Sequence, residues 1–258
     1  MIATIVDRQA ALRASGTRRP RNMIVDKRET RVREMFSAIS PRYDFLNHLL
    51  SLNVDHLWRW ITTHLVPPQG DSPVLDVCTG TGDLALSYWR QSGGRLPVYA
   101  SDFCHEMLVL GQRKVRRRNA ARHIRFIEAD AQRLPFPDDY FQIVCVAFGL
   151  RNVTCAIKGL MEMTRVTRPG GKVAILEFSV PRGRLFRAAY LAYFKHVLPL
   201  VGQTLARNRA GAYNYLPASV LEFPAGPAMA ELMTHAGLRS PEWRPLTFGI
   251  ASLYIGTK

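Results

Sequence analysis

The sequence predicts an α/β fold in which a doubly wound, mostly parallel sheet carries helices on both faces. From residue 72 onward, short apolar runs alternate with stretches of helical periodicity, as in successive βαβ units. In the run FQIVCVAF (141–148), the six residues after Gln142 are all apolar without alternation, which is typical of a strand buried on both faces. The 258 residues are 47% hydrophobic and 21% charged, an ordinary globular composition with enough apolar material for one large α/β domain or two small ones.

Two helical stretches precede the first predicted strand. In KRETRVREMFSAIS, which starts at Lys27, apolar residues between Val32 and Ile39 recur at helical spacing. The next stretch, PRYDFLNHLLSLNVDHLWRWITTHL, is aromatic-rich and ends before Pro67. We interpret residues 26–66 as a helical N-terminal cap on the domain.

The remaining elements follow in order along the chain. Strands are predicted over residues 72–77, 97–101, 124–128, 141–148 and 171–178, with helices after Gly82 and over 105–120 and 156–166. Residues 182–236 form a helical insertion predicted to cover a substrate, with a long amphipathic stretch first and a further helix over 225–236. Two β-like runs broken at Gly249 predict a C-terminal hairpin, so that the last strand is antiparallel. No convincing boundary divides residues 26–258, which we interpret as a single domain.

The chain is strongly basic, with a formal net charge of +15. Such a balance favours a nucleic acid, an anionic membrane surface or an anionic small molecule as partner, and charge alone does not choose among them. We find no aromatic-interleaved basic motif of a nucleic-acid binder, so nucleic acid is not expected. Residues 1–25 are Arg-rich, and we interpret them as a disordered basic tail. A transit peptide and a true start at Met23 are the alternatives.

The cysteines and the hydropathy pattern indicate a cytoplasmic protein. The four cysteines contain no CxxC pair and no spacing typical of a zinc site, so no metal is predicted. The sequence also has no secretory apolar region and no apolar run of membrane-spanning length.

A glycine-rich loop follows the first predicted strand in VLDVCTGTGDLAL. Asp76 precedes Gly80 and Gly82, and a helix begins directly afterwards, so backbone N–H groups are free to meet a ligand. The third glycine of the dinucleotide fingerprint is absent. Asp83 within the loop would repel a pyrophosphate, which favours a nucleoside ligand without phosphates.

Two further acids end the next predicted strands. Asp102, about twenty residues after the loop, is placed to accept hydrogen bonds from ribose hydroxyls. Asp130 could accept from an adenine amino group. One strand-end carboxylate commonly faces water, but three on the same edge of a sheet favour a nucleoside site.

Several of these segments together resemble one superfamily. VLDVCTGTGDLA, ADAQRLPFPDDYFQIV and RPGGKVAILEF are similar to the successive signatures of class I methyltransferases that use S-adenosylmethionine, which have a Rossmann-like sheet. Within it, FSAISPRYDFLNHLLSLNVDHLWR, FGLRNV and LEFSVP resemble the C-methyltransferases of ubiquinone and menaquinone biosynthesis, including demethylmenaquinone methyltransferase. The resemblance runs from about Val32 to the C-terminus.

The resemblance implies a set of cofactor-binding residues. In many relatives a serine stands just before FGLRN, where this chain has Ala147, so one hydrogen bond is missing or supplied otherwise. The predicted set is Asp76, Gly80, Thr81, Gly82, Asp102, Phe103, Asp130, Ala131 and Ala147.

The resemblance also implies that Arg151, Asn152 and Tyr43 act together in catalysis. Arg151 cannot serve as a base, because a guanidinium stays protonated below about pH 12. The physically easier role is to stabilise a quinol phenolate and hold the water that takes the proton. A core tyrosine with a satisfied hydroxyl is an equal interpretation of Tyr43. We assign no catalytic role to Asp55, where relatives often carry histidine, or to His56 beside it.

The implied activity is S-adenosylmethionine-dependent C-methylation of a polyprenyl quinol, with demethylmenaquinol as the first expectation. Alternatives are the methoxy-polyprenyl-benzoquinol of ubiquinone biosynthesis, another methyl acceptor, and a non-catalytic scaffold in a quinone-synthesis complex. A lipid-borne acceptor also suggests peripheral contact with an anionic membrane through the stretch 184–209, for which an ordinary core-facing helix is an equal interpretation. A homodimer is a further hypothesis about partners, and it does not rest on any motif of the sequence.

Overall fold

The computed structural model describes residues 28–40, 53–181, 183–193 and 212–258, together with Asp44, His48 and Ser51. The strands are β1 (Val74–Val77), β2 (Val98–Asp102), β3 (Ile124–Glu128), β4 (Phe141–Ala147), β5 (Thr167–Phe178), β6 (Arg239–Leu246) and β7 (Ala251–Thr257). The helices are α1 (Glu29–Ile39), α2 (Val54–Leu65), α3 (Asp83–Gln91), α4 (His105–Arg117), α5 (Ala156–Val166), α6 (Arg184–Ala192), α7 (Ala212–Glu222) and α8 (Pro227–His235).

The strands form one seven-stranded sheet in the order β3-β2-β1-β4-β5-β7-β6. β1 pairs in parallel with both β2 and β4, so the strand order reverses between β1 and β4. β7 is antiparallel to both of its neighbours, β5 and β6. The predicted parallel sheet with an antiparallel C-terminal strand is confirmed. Ligands of such sheets bind at the carboxyl ends of the strands, where the order reverses.

Apolar side chains cover both faces of the sheet. On one face, Leu75 and Val77 of β1 pack with Leu160 and Met163 of α5, and Met229 of α8 completes this layer. On the other face, Val74 packs with residues of α3 and α4. Alternate residues of β1 therefore point to opposite layers, both of which are dry, which explains why this strand is apolar nearly throughout.

The helix α1 lies over the carboxyl edge of the sheet and is fastened to α4. Val32 and Met35 are buried on its inner side. The Ser37 hydroxyl donates a hydrogen bond to Glu106 Oε2 at 2.7 Å, and the Arg33 guanidinium lies 5.6 Å from the centre of the Phe103 ring. The cap predicted for residues 26–66 therefore contacts the predicted cofactor-binding strand end.

Several predicted elements differ from the structure in detail. β3 ends at Glu128, and Asp130 instead forms an isolated bridge with Arg133. β4 ends at Ala147, because Phe148 adopts a left-handed backbone conformation with φ of 58°. The helix α7 lies within the helical insertion predicted for residues 182–236, although no separate helix was assigned to it, and it contains Pro217.

Part of the sequence interpretation lies outside the described residues. This applies to the basic tail (1–25), to Tyr43 and to residues 194–209 of the amphipathic stretch, of which α6 is described. The division into a tail and a single domain stays a prediction. Within the described ranges, no helix has the length and apolar character needed to cross a membrane.

Candidate functional site

A cleft opens at the carboxyl ends of β1 to β4. Its lining includes six of the nine predicted cofactor-binding residues, namely Gly80, Asp102, Phe103, Asp130, Ala131 and Ala147. The inner side of α1 adds Glu29, Val32 and Phe36. The three residues from α1 were missed in the sequence, because their helical spacing indicates only an apolar face and not what that face covers.

The glycine-rich loop is held in place by Asp76. The Asp76 carboxylate is 1% exposed, and one of its oxygens accepts hydrogen bonds from the Thr79 hydroxyl at 2.5 Å and the Ala85 N–H at 3.0 Å. Burial raises the pKa of Asp76 to about 7, although these hydrogen bonds lower it. Asp76 therefore stabilises the loop conformation through its hydrogen bonds with Thr79 and Ala85. Its contact with the cofactor stays a prediction.

The Asp102 carboxylate sits at the end of β2 and lines the cleft. Its oxygens accept hydrogen bonds from the N–H groups of Cys104 at 2.9 Å and Gly80 at 2.8 Å. Burial raises the pKa of Asp102 to about 6, against the opposing effect of these donors. A carboxylate has room for about four hydrogen bonds, so Asp102 can still accept from ligand hydroxyls.

Asp130 lies in the tight turn after β3. Its side chain accepts a hydrogen bond from the Gln132 N–H at 2.9 Å, which orients the carboxylate at the cleft wall. Ala131 is buried beside it and Ala147 closes the wall from the end of β4. Of the three acids predicted at this edge of the sheet, Asp102 and Asp130 thus line the same cleft, whereas Asp76 does not.

The first residues of FGLRN pack against the glycine-rich loop. A β-carbon on Gly149 would lie 2.4 Å from Cβ of Cys78, far inside van der Waals contact. Cys78 and Phe148 both have positive φ, at 51° and 58°. Such values are uncommon for residues other than glycine, and backbone strain of this kind is concentrated at functional sites.

Asn152 lines the cleft, whereas Arg151 beside it is buried behind the lining. Both belong to a 3-10 turn, Leu150–Asn152. The Arg151 guanidinium donates to Glu177 Oε1 at 2.6 Å and to the Phe148 carbonyl, and lies 5.2 Å from the centre of the Phe178 ring. Glu177 was missed in the sequence, although an acid ending an apolar strand is the signal that indicated Asp102 and Asp130.

Thr81 faces the cap instead of the cleft. It is 3% exposed; its hydroxyl donates to Asp44 Oδ1 at 2.5 Å and accepts from Lys114 Nζ at 2.7 Å. Lys114 also contacts Asp83 at 2.8 Å and Asp44 Oδ2 at 2.5 Å. The negative charge of Asp83, the acid predicted to disfavour a pyrophosphate, is therefore neutralised by Lys114. The cofactor contacts predicted for Thr81 and Gly82 stay predictions.

The structure also groups His48, Asp55 and His56, with one candidate ligand atom from each within 4.8 Å of the others. The sequence did not indicate this grouping. Asp55 accepts hydrogen bonds from Ser51 and Arg59, and although burial raises its pKa, Arg59 and Ser51 outweigh burial and lower it to about 2. The positive charge of Arg59 opposes a cation here, so we assign these residues to the packing of the cap.

The cleft fits the donor groups of S-adenosylmethionine. Ribose hydroxyls and an adenine amino group need acceptors, which Asp102 and Asp130 provide, and Phe103 and Met107 supply an apolar wall for the rings. The strand order, the glycine-rich loop and this cleft define a class I S-adenosylmethionine-dependent methyltransferase. A solved methyltransferase of this class from Thermotoga maritima has the same fold, with a TM-score of 0.60 and 14% identity over 88% of this chain and 99% of that chain.

The chain belongs to the ubiE/COQ5 methyltransferase family, whose profile matches residues 24–258. It is 47% identical to the ubiquinone/menaquinone biosynthesis C-methyltransferase UbiE of Geobacter sulfurreducens over 88% of each chain. It is 45% identical to the demethylmenaquinone methyltransferase of Deinococcus radiodurans, over 88% of this chain and 92% of that protein. The family resemblance drawn from the sequence motifs is confirmed.

Proposed function

We propose that this protein methylates a ring carbon of a polyprenylated quinol with S-adenosylmethionine as donor. The observation that carries the proposal is that Gly149 and Asn152 of the FGLRN turn line the same cleft as Asp102 and Asp130. A family-specific segment and a nucleoside-type site thus share one cleft. The names of the relatives support a quinol as acceptor.

The cofactor would be held by the side chains and backbone of the cleft wall. When bound, S-adenosylmethionine supplies an electrophilic methyl group on a positively charged sulfur. Asp102 and Asp130 would accept hydrogen bonds from the nucleoside, and the backbone at Gly80 would contact the rest of the cofactor.

The acceptor needs a protein group that favours its ionised form. A quinol hydroxyl titrates near tyrosine, at about pH 10, and only loss of this proton makes the neighbouring ring carbon nucleophilic. The Arg151 guanidinium would stabilise the phenolate oxygen, and a water held by Arg151 and Asn152 would accept the proton. The ring carbon that gains the methyl group afterwards loses its own proton, which restores the aromatic ring. Tyr43 stays a predicted third member of this set.

The test is methyl transfer measured by mass spectrometry under anaerobic conditions in detergent. Purified protein and S-adenosylmethionine are offered demethylmenaquinol and a methoxy-polyprenyl-benzoquinol in parallel. We expect a ring-methylated product from demethylmenaquinol, and product from both would mean that the enzyme serves both pathways. If the protein binds the cofactor but methylates neither quinol, the proposal is overturned.

Replacing Arg151 by alanine should lower kcat by about 100-fold or more, because the phenolate loses its charged donor. The dissociation constant of S-adenosylmethionine, measured by calorimetry, should change less than about twofold, since the predicted nucleoside contacts are Asp102 and Asp130, whereas the Arg151 side chain contacts Glu177 and the Phe148 carbonyl. Arg151→Lys keeps the charge but not the forked geometry and should give an intermediate rate. An equal loss of rate and cofactor affinity would assign Arg151 a structural role.

We also propose peripheral contact with an anionic bilayer, because the acceptor's prenyl tail is lipid-soluble. The supporting feature is an aromatic patch formed by Phe186 and Phe248, which are 40% and 81% exposed and whose ring centres are 5.2 Å apart. Arg184 and Arg187 are exposed on the same helix as Phe186. Apolar rings flanked by cations suit the boundary between acyl chains and anionic headgroups.

A further inference from the structure

Glu177 binds Arg151 at two points. Its Oε1 accepts a hydrogen bond from Nη1 of the Arg151 guanidinium at 2.6 Å, and its Oε2 accepts from the Arg151 backbone N–H at 3.3 Å. Glu177 is 1% exposed and Arg151 is 6% exposed. One carboxylate thus holds both the backbone and the side chain of the same residue, which restricts the guanidinium to one orientation.

This arrangement leaves a particular donor of Arg151 unused. The two hydrogens of Nη1 are taken by Glu177 and by the Phe148 carbonyl. The Nε–H is buried and has no hydrogen-bond partner among the described residues. The neighbouring Asn152 shows the complementary feature, because its buried Oδ1 also lacks a partner within the described part of the chain. Unpaired buried polar atoms are rare and costly, so both atoms call for a ligand group.

One donor and one acceptor on adjacent residues match the needs of a hydroxyl or a water molecule. A hydroxyl oxygen can accept from Nε–H while its hydrogen is donated to an amide oxygen. We propose that Glu177 is a positioning residue: its carboxylate holds Arg151 so that Nε–H meets the acceptor's hydroxyl oxygen or the water beside it. The inference rests on the proposed function, because it takes Arg151 to act on a quinol.

A purely structural role for the pair makes different predictions. A buried arginine–carboxylate pair often contributes little net stability and can be replaced by neutral groups of similar volume. If the pair has only a structural role, Glu177→Gln should lower kcat only to the extent that it lowers the fraction of folded protein. If Glu177 positions Arg151, the same change should lower kcat while the cofactor still binds normally.

The first experiment compares Glu177→Gln with Glu162→Gln. Glu162 forms a two-point pair with Arg165, at 2.7 and 2.8 Å, and belongs to α5 outside the cleft lining, so it is a control for the loss of a two-point pair at a partly exposed site. We expect Glu177→Gln to lower kcat for the quinol by about 100-fold, as misplacement of a catalytic group by about 1 Å does. The dissociation constant of S-adenosylmethionine and the KM of the quinol should stay within about threefold. Glu162→Gln should keep the wild-type kcat, and an equal rate loss in both variants would overturn the proposal.

A double-mutant cycle tests whether Glu177 acts through Arg151. In the Arg151→Ala background, Glu177→Gln should cause no further loss of kcat, because there is no guanidinium left to position. Fully multiplicative losses would overturn the proposal. Should Glu177→Gln unfold the protein, Glu177→Asp and the neutral pair Arg151→Met with Glu177→Gln provide folded alternatives. Glu177→Asp should then retain more activity than the neutral pair, and the reverse order would count against positioning.

A spectroscopic measurement on the free protein needs no methyl transfer. Side-chain ¹⁵N spectra of arginine-labelled protein should show slowly rotating Nη groups for Arg151, with a signal that is absent in Arg151→Lys and averaged in Glu177→Gln. An Arg151 signal that is unchanged in Glu177→Gln would contradict the restricted orientation. Failure of the proposed function is seen separately, as wild-type protein that binds the cofactor and methylates neither quinol.

Discussion

At the scale of single residues, the buried carboxyl group of Asp76 sets a pH dependence. Its pKa is raised by burial to about 7 in the folded protein, against 3.8 in an exposed carboxyl group. Folding therefore takes up a proton between about pH 4 and pH 7. The stability linked to Asp76 is present below pH 4 and is lost as the pH rises through 7.

Asp76→Asn should remove this dependence without unfolding the loop. Both hydrogen bonds from Thr79 and Ala85 go to the same carboxylate oxygen, which an amide oxygen can replace. Urea unfolding should show nearly equal stability of variant and wild type near pH 4, with the variant more stable by roughly 4 kcal/mol at pH 8, since one pKa unit corresponds to about 1.4 kcal/mol. A difference that does not change between these pH values would contradict the raised pKa.

Gly149 carries a steric constraint that can be tested by compensation. Gly149→Ala should destabilise the protein by about 1–3 kcal/mol, because the new methyl group would lie 2.4 Å from Cβ of Cys78. Adding Cys78→Gly removes that carbon at a position whose φ of 51° suits glycine, and should restore most of the stability and cofactor affinity.

The control for this pair is Gly159→Ala on α5. Its new methyl group would lie 3.5 Å from the nearest side-chain atom, an ordinary contact, and alanine favours a helix by up to about 1 kcal/mol. Thermal unfolding should therefore show no loss for Gly159→Ala. If Cys78→Gly fails to rescue Gly149→Ala, the contact between the two loops is not the cause of the damage.

At the scale of elements, Lys114 joins α4 to the glycine-rich loop and to the cap. Its ammonium group lies 2.7 Å from the Thr81 hydroxyl, 2.8 Å from Asp83 and 2.5 Å from Asp44. Two carboxylates would face each other without it. The lysine therefore couples the position of the cap to the shape of the cofactor loop.

Lys114→Met keeps the aliphatic stem and removes the charge. We expect a loss of about 1–2 kcal/mol in the free energy of unfolding, less than for a fully buried pair because these side chains are 20–32% exposed. Cofactor affinity should fall as well. Lys158→Met on the exposed side of α5 is the control and should change neither quantity. Equal effects of the two substitutions would rule out the coupling.

At the scale of the whole molecule, the charge of +15 and the aromatic patch together predict binding to anionic vesicles. Replacing Phe248 by serine should weaken binding to phosphatidylglycerol vesicles by about tenfold, since an inserted Phe side chain contributes about 1.5–3 kcal/mol. Leu57→Ser, at a half-exposed position on α2, is the control and should leave binding unchanged. Sedimentation that is insensitive to salt, or to Phe248→Ser, would contradict attachment through this patch.

The sequence by itself determined the parallel sheet, its antiparallel last strand, the strand end that carries Asp102 and the position of Asp130 shortly after the next strand. These follow from short-range patterns, because a buried strand must be apolar and a loop that meets a ligand needs small or polar residues. FGLRN and YDFLN likewise identified the family from the sequence, because each is a contiguous motif. Tyr43 and the tail stay predictions.

Only the tertiary structure decided which residues meet across the chain. Thr81 turns toward Asp44 and Lys114, Gly149 packs on Cys78, and Glu177 holds Arg151 across 26 residues of sequence. No local pattern encodes these pairings, because each depends on two neighbouring strands, or a strand and a cap, ending at the same edge of the sheet. The tertiary structure therefore distinguishes the residues that line the cleft from those that hold the lining in place.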